Sequence, residues 1–116
     1  MTTSHDTPLA LVERYVAAFN ARDLASVLRL YEDDSVLVPV PGRPTSDRRA
    51  AVSYLMSLRQ DMRAVVRDCF AAGDVALVVV EWAVGELSGV ATDVVRFRGG
   101  EWRYLIDNPH GVAPAR

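Results

Sequence analysis

The segments VALVVVEWAV (Val75–Val84), VATDVVRFR (Val90–Arg98) and EWRYLI (Glu101–Ile106) decide how this chain folds. Each is rich in valine and aromatic residues, which suit a pleated, half-buried surface. Gly73-Asp74, Gly85 to Gly89 and Gly99-Gly100 punctuate them, so they read as consecutive antiparallel hairpins. Arg63 to Phe70 reads as a strand of the same run. Alternation then assigns faces. Ala91, Asp93, Val95 and Phe97 share one side, with Arg96 and Arg98 on the other. Trp102, Tyr104 and Ile106 oppose Glu101, Arg103 and Leu105. The apolar sets should face whatever covers the sheet, which leaves Asp93 as a carboxylate on the inner side.

Upstream the periodicity is helical. Thr7-Pro8 supplies a capping hydroxyl and a proline at the first helical position. Val12, Tyr15, Val16 and Phe19 follow on one face. A break at Asn20 to Arg22 leads to Asp23, a cap for a second helix presenting Leu24, Val27, Leu28 and Tyr31. The acidic turn Glu32-Asp33-Asp34 is expected to end it, with Val36 to Val40 as a short edge strand because Pro39 cannot donate to a ladder. A third helix should begin near Ser46 or Asp47, with Val52, Leu55, Met56 and Arg59 inside. Three helices followed by a meander of strands indicate an α+β domain with the helices on one face of the sheet.

The 116 residues leave room for one core, and the expected single domain runs over 8–111, with flexible tails at 1–7 and 112–116. Net charge is −2 and the arginines are scattered, so neither a nucleic-acid footprint nor a polybasic membrane patch is visible. All 13 basic residues are arginine, which excludes a Schiff-base lysine. Cys69 is the single cysteine; no intrachain disulfide can form, and its apolar setting suggests a buried thiol. The N-terminus lacks a cationic segment followed by an apolar run, and no apolar run could span a bilayer. The expectation is a soluble cytoplasmic protein. Two histidines, His5 and His110, make no metal site, and without a glycine-rich phosphate motif no cofactor is expected.

The order of elements, together with Arg14 to Ala18, Asn20 to Leu24 and Thr92 to Phe97, resembles the ketosteroid isomerase and SnoaL-like families. The resemblance covers roughly Pro8 to Gly111, and the closing Asp107-Asn108-Pro109-His110-Gly111 is also typical of small relatives. It implies a nuclear transport factor 2-like (cystatin-like) fold. That is a cone-shaped, strongly bent antiparallel or mixed sheet, with three N-terminal helices on its concave face around an apolar pocket. Relatives commonly pair through the outer sheet face, so a homodimer is implied, and the outward Val94 suits it.

By resemblance, Tyr15 matches the family tyrosine that donates to a developing oxyanion, and Asp93 matches the aspartic acid that stays protonated and donates a second bond. Ketosteroid isomerase is itself the standard worked example of that raised pKa. The family's general base falls at Pro39, which has no acid-base group. SnoaL-like cyclases use an aspartate near the chain end, so Asp107 could supply proton transfer. Strict alternation, however, turns it outward toward Arg103 as an ion pair. His110 reads either as a base at the pocket mouth or as a surface turn residue. Tyr15 reads equally as core. Phe19, Tyr54, Trp82, Val95, Phe97 and Trp102 are the expected lining. Epoxide hydrolysis on this fold needs an arginine between carboxylates, and Arg96 has the wrong parity. Two functions stand: an isomerase- or cyclase-like enzyme acting on a small apolar carbonyl or polycyclic substrate, or a non-catalytic ligand-binding or dimerisation module.

Overall fold

Helix α1 (Pro8–Asn20) opens the structure, a computed structural model that describes residues 6–112. The Thr7 side chain accepts from the Ala10 amide at 3.0 Å, satisfying one of the free donors of the first turn. Leu11, Val12, Tyr15 and Phe19 are buried along one stripe. Arg22, in the left-handed region at φ 59°, closes the break, and Asp23 caps the short α2 (Leu24–Leu28). Strands β1 (Tyr31–Val40) and β2 (Arg43–Thr45) come next, then α3 (Arg48–Ser57), capped by Asp47. Strands β3 (Met62–Ala72), β4 (Val75–Val84), β5 (Leu87–Arg98) and β6 (Glu101–Asp107) form the meander.

The sheet order is β2-β1-β6-β5-β4-β3, antiparallel except for the parallel β1–β6 pair. The hairpins follow the glycine pattern. Gly99 and Gly100 join β5 to β6 with φ 63° and 83°, the pair of positive values that a type I′ turn requires. The inner face carries Ala76, Val78, Val80, Trp82 and Val84 from β4, and Ala91, Asp93 and Val95 from β5. The helices cover it, and Leu11, Phe19, Val27 and Val52 are essentially inaccessible. This bent mixed sheet under three helices is the expected α+β architecture. The flexible tails expected at the ends fall largely outside the described residues, as does His5. Asp6 is described and accepts the Trp102 amide at 2.7 Å.

Five local expectations need correction. Tyr31 belongs to β1 rather than α2, since the helix ends at Leu28. The acidic run Glu32-Asp33-Asp34 lies inside that strand. Tyr31 to Val36 spans only Tyr104 to Ile106 on β6, so the intervening residues must bulge. β1 is not an edge either: β2 flanks it, and Pro39 sits where the register between them breaks, so no ladder donor is lost. Ile106 points outward, because Val94–Val95 of β5 oppose Ile106 and Tyr104, leaving Leu105 as an extra residue in β6. Cys69 is exposed: it pairs with inner-facing Val78 but lies in the far end of the edge strand β3, where every residue of 67–72 is exposed.

Candidate functional site

The Leu105 bulge sets the chemistry of the interior. It reverses the parity after Tyr104, so Asp107 faces the same cavity as Asp93 instead of pairing with Arg103. The two carboxyls lie side by side, within hydrogen-bond reach of each other once one is protonated. Asp93 Oδ1 also accepts the Asn108 amide at 2.8 Å, and Asp107 Oδ2 accepts from the Tyr31 hydroxyl at 2.5 Å. Tyr31 and Tyr15 hydroxyls lie 2.9 Å apart. Tyr31 has one proton and gives it to Asp107, so Tyr15 must be the donor to Tyr31. A continuous chain therefore runs Tyr15, Tyr31, Asp107, Asp93.

Burial pushes Asp93 well above the usual carboxylate range, and the nearby charge of Asp107 pushes it further. Asp107 is raised too, again by burial, but bonds from Tyr31 and Asp93 and the proximity of His110 oppose the rise. Two adjacent carboxyls cannot both ionise cheaply, so the pair retains a proton, with Asp93 driven further toward the neutral form than Asp107. Burial raises the Tyr15, Tyr31 and Tyr104 phenols, and Asp107 pushes all three the same way, joined by Asp93 at Tyr15 and Tyr104, keeping them protonated.

Around this cluster is a cavity of about 110 Å³ with apolar walls, including Val12 and Val16 of α1, Val52 and Leu55 of α3, and Val80 and Trp82 of β4. Its mouth is framed by Tyr54, Pro39, Pro109 and His110. The segment after β6 is strapped down firmly. Asn108 bonds Thr92 through its carbonyl and its side chain, and Trp82 Nε1 donates to the Pro109 carbonyl at 2.7 Å. Gly111 is required here: at φ 57°, a Cβ would stand 2.5 Å from the Val90 carbonyl oxygen. His110 Nε2 donates to the Pro39 carbonyl at 3.1 Å, and its ring lies against Trp82.

Of the residues expected at the site, Tyr15, Asp93, Asp107, His110, Tyr54 and Trp82 border the cavity together. Phe19, Val95, Phe97 and Trp102 do not. Phe19 and Val95 are sealed in the core, and the Phe97 and Trp102 rings pack on each other at a tilt, centroids 5.5 Å apart. Tyr31 and Tyr104 were missed as site residues; Tyr31 was hidden by its assignment to the second helix. Among the described residues, no group of three His, Cys, Asp or Glu side chains is placed to hold a metal.

Residues 12–105 match the SnoaL-like domain. The chain belongs to the SnoaL-like domain family. Solved structures agree on the architecture. A conserved protein from Planctomyces limnophilus is 22% identical, with TM-score 0.70, over 85% of this chain and 88% of that one. An NTF-2 like protein of unknown function from Shewanella oneidensis is 18% identical, with TM-score 0.68, over 85% and 92%. A ketosteroid isomerase-like protein from Erwinia carotovora is 23% identical, with TM-score 0.59, over 91% and 94%. At such identities the likeness of this SnoaL-like chain to those three is one of fold. No curated protein matches it in sequence.

Proposed function

We propose that this SnoaL-like protein is an isomerase- or cyclase-like enzyme that moves a proton within an apolar carbonyl compound, with Asp107 as base and Asp93 as acid. The supporting observation is the pair of touching carboxyls in the wall of an apolar pocket. Asp107 takes a proton from the carbon beside the carbonyl, and the C–H electron pair becomes the carbon–carbon double bond of an enol. The carbonyl oxygen receives the Asp93 proton, which is released toward it once Asp107 is neutral. Return of the proton from Asp107 to a different carbon, with Asp93 recovering its own from the enol, completes the isomerisation. Burial suits both tasks: it raises Asp107 toward the working pH of a base and keeps Asp93 a donor. Tyr15, which the family resemblance assigns to the oxyanion, instead supports Asp107 through Tyr31. His110 serves the mouth, where its ring is tied to Pro39.

The test is deuterium uptake from heavy water into cyclic enones, followed by proton NMR. Catalysed exchange that rises with pH as Asp107 ionises, and falls once Asp93 loses its proton, supports the assignment. Exchange no faster than buffer removes it. The second reading, a non-catalytic ligand-binding module, draws on Pro39 at the family's base position.

A homodimer through the outer sheet face forms part of the proposal, because Val65, Leu77 and Val90 present an exposed apolar surface there. Light scattering at micromolar concentration should give twice the chain mass. We also read the protein as cytoplasmic, which an exposed free thiol at Cys69 favours.

A further inference from the structure

We propose that the pocket selects an uncharged ligand of a single ring carrying one carbonyl or hydroxyl group. Size is the first argument. A cavity of about 150 Å³ is enough for benzene, and pockets for drug-sized ligands run to roughly 300–1,000 Å³. This one measures about 110 Å³. It is smaller than that benzene-sized cavity and open at one side, so a single small ring fills it and any further atoms are left in the mouth. The walls resist widening, since Val52, Val80 and Ala91 are buried and backed by close-packed core.

Charge is the second argument. Among the described residues, no arginine borders the cavity, and His110 is the single basic side chain there, held at the rim by Pro39. The arginines on neighbouring strand positions, Arg96, Arg98 and Arg103, are on the opposite sheet face and engaged by Glu32. A carboxylate or phosphate entering the pocket would lose its water and meet Asp107, with His110 at the rim as the one basic group among the described lining residues to set against those costs. Polarity is the third. Asp93 and Asp107 form one polar end in an otherwise apolar chamber, so a ligand with a single polar group is matched and one with several is penalised. The orientation of the polar group toward Asp93 rests on the proton-transfer reading above; the size and charge limits do not.

The test is calorimetric titration with phenol, 2-naphthol, estradiol and benzoate at neutral pH, on the wild type and on Leu55→Ala. Leu55 lines the cavity but is only half-buried, so its truncation should enlarge the site without unfolding the protein. Phenol should bind, 2-naphthol at least about tenfold more weakly, and estradiol and benzoate not measurably; Leu55→Ala should narrow the gap between phenol and 2-naphthol. Estradiol or benzoate binding as tightly as phenol overturns the proposal. So does a gap unmoved in Leu55→Ala, or no binding by any probe. Selective phenol binding without deuterium exchange removes catalysis alone and leaves this selectivity standing. Catalysed exchange in polycyclic ketones does the reverse.

Discussion

Strands β1, β5 and β6 carry carboxylates on both faces of the sheet, and the two groups behave oppositely. Outside, Glu32 is almost wholly buried yet lies 2.9 Å from Arg96 Nε and 3.2 Å from Arg98. Burial alone would raise it, but the hydrogen bonds from Arg96 and Arg98 outweigh that and hold Glu32 below the usual carboxylate range. Inside, Asp93 and Asp107 have each other, two phenols and a backbone amide, and among the described residues no guanidinium lines their cavity. They are driven upward. Tyr31 and Glu32 are consecutive residues, and each serves a different cluster. Burial therefore does not decide what a carboxylate does in this fold; the partner does. Arginine-clasped Glu32 is ionised and structural, whereas the inner pair holds a proton that can move.

The sharpest way to break this comparison is to take the anion out of the inner cluster. Asp107→Asn keeps the shape and an acceptor for Tyr31, so the fold should persist. Enone exchange should fall by roughly 10²–10⁴-fold, the usual worth of a general base. An Asp107→Asn protein with unchanged exchange rates would reduce the inner carboxyls to packing. The outer cluster should respond in stability instead. Glu32→Gln leaves three arginines without their shared carboxylate and should cost about 2 kcal/mol in urea unfolding near neutral pH. Because the folded pKa of Glu32 is depressed, its contribution is present above the unfolded value and lost as acid protonates it. The wild-type advantage over Glu32→Gln should begin to shrink as pH falls through about 4 and be gone only below the depressed folded value, with exchange activity untouched at neutral pH. A smaller effect is expected at the strap. Gly111→Ala meets the Val90 carbonyl and a left-handed φ, and should cost about 1–2 kcal/mol while loosening the Asn108 bond to Asp93.

Much of this arrangement is legible in the sequence, and the exceptions share one physical cause. Helix caps at Thr7, Asp23 and Asp47, the glycine turns and the inner parity of Asp93 all follow from local rules, because each depends on residues adjacent in the chain. Asp107 does not, since strict alternation carries past Tyr104 and cannot register the additional Leu105, a feature set by pairing with Val94 and Val95 far upstream. Tyr31 fails for a related reason: three acidic residues after it have low strand propensity, and only Arg96, Arg98 and Arg103, supplied by later strands, make an acidic β1 tolerable. Both errors arise at bulges, and both concern the residues that complete the inner cluster.

Asp93→Asn probes the last difference between the clusters, the sign of their dependence on pH. Asp93 is raised in the folded protein, so the native state retains a proton that the unfolded chain releases. Its contribution is then fully present below the unfolded carboxylate pKa and is progressively lost as pH climbs toward the raised folded value, the reverse of Glu32. Asparagine keeps an oxygen for the Asn108 amide and a donor for Asp107 without a proton to lose. Unfolding measured across this range should therefore show the wild type losing stability relative to Asp93→Asn as pH rises. A difference that stays flat would mean that Asp93 is ionised in the native state, and that some cation offsets it as the arginines offset Glu32.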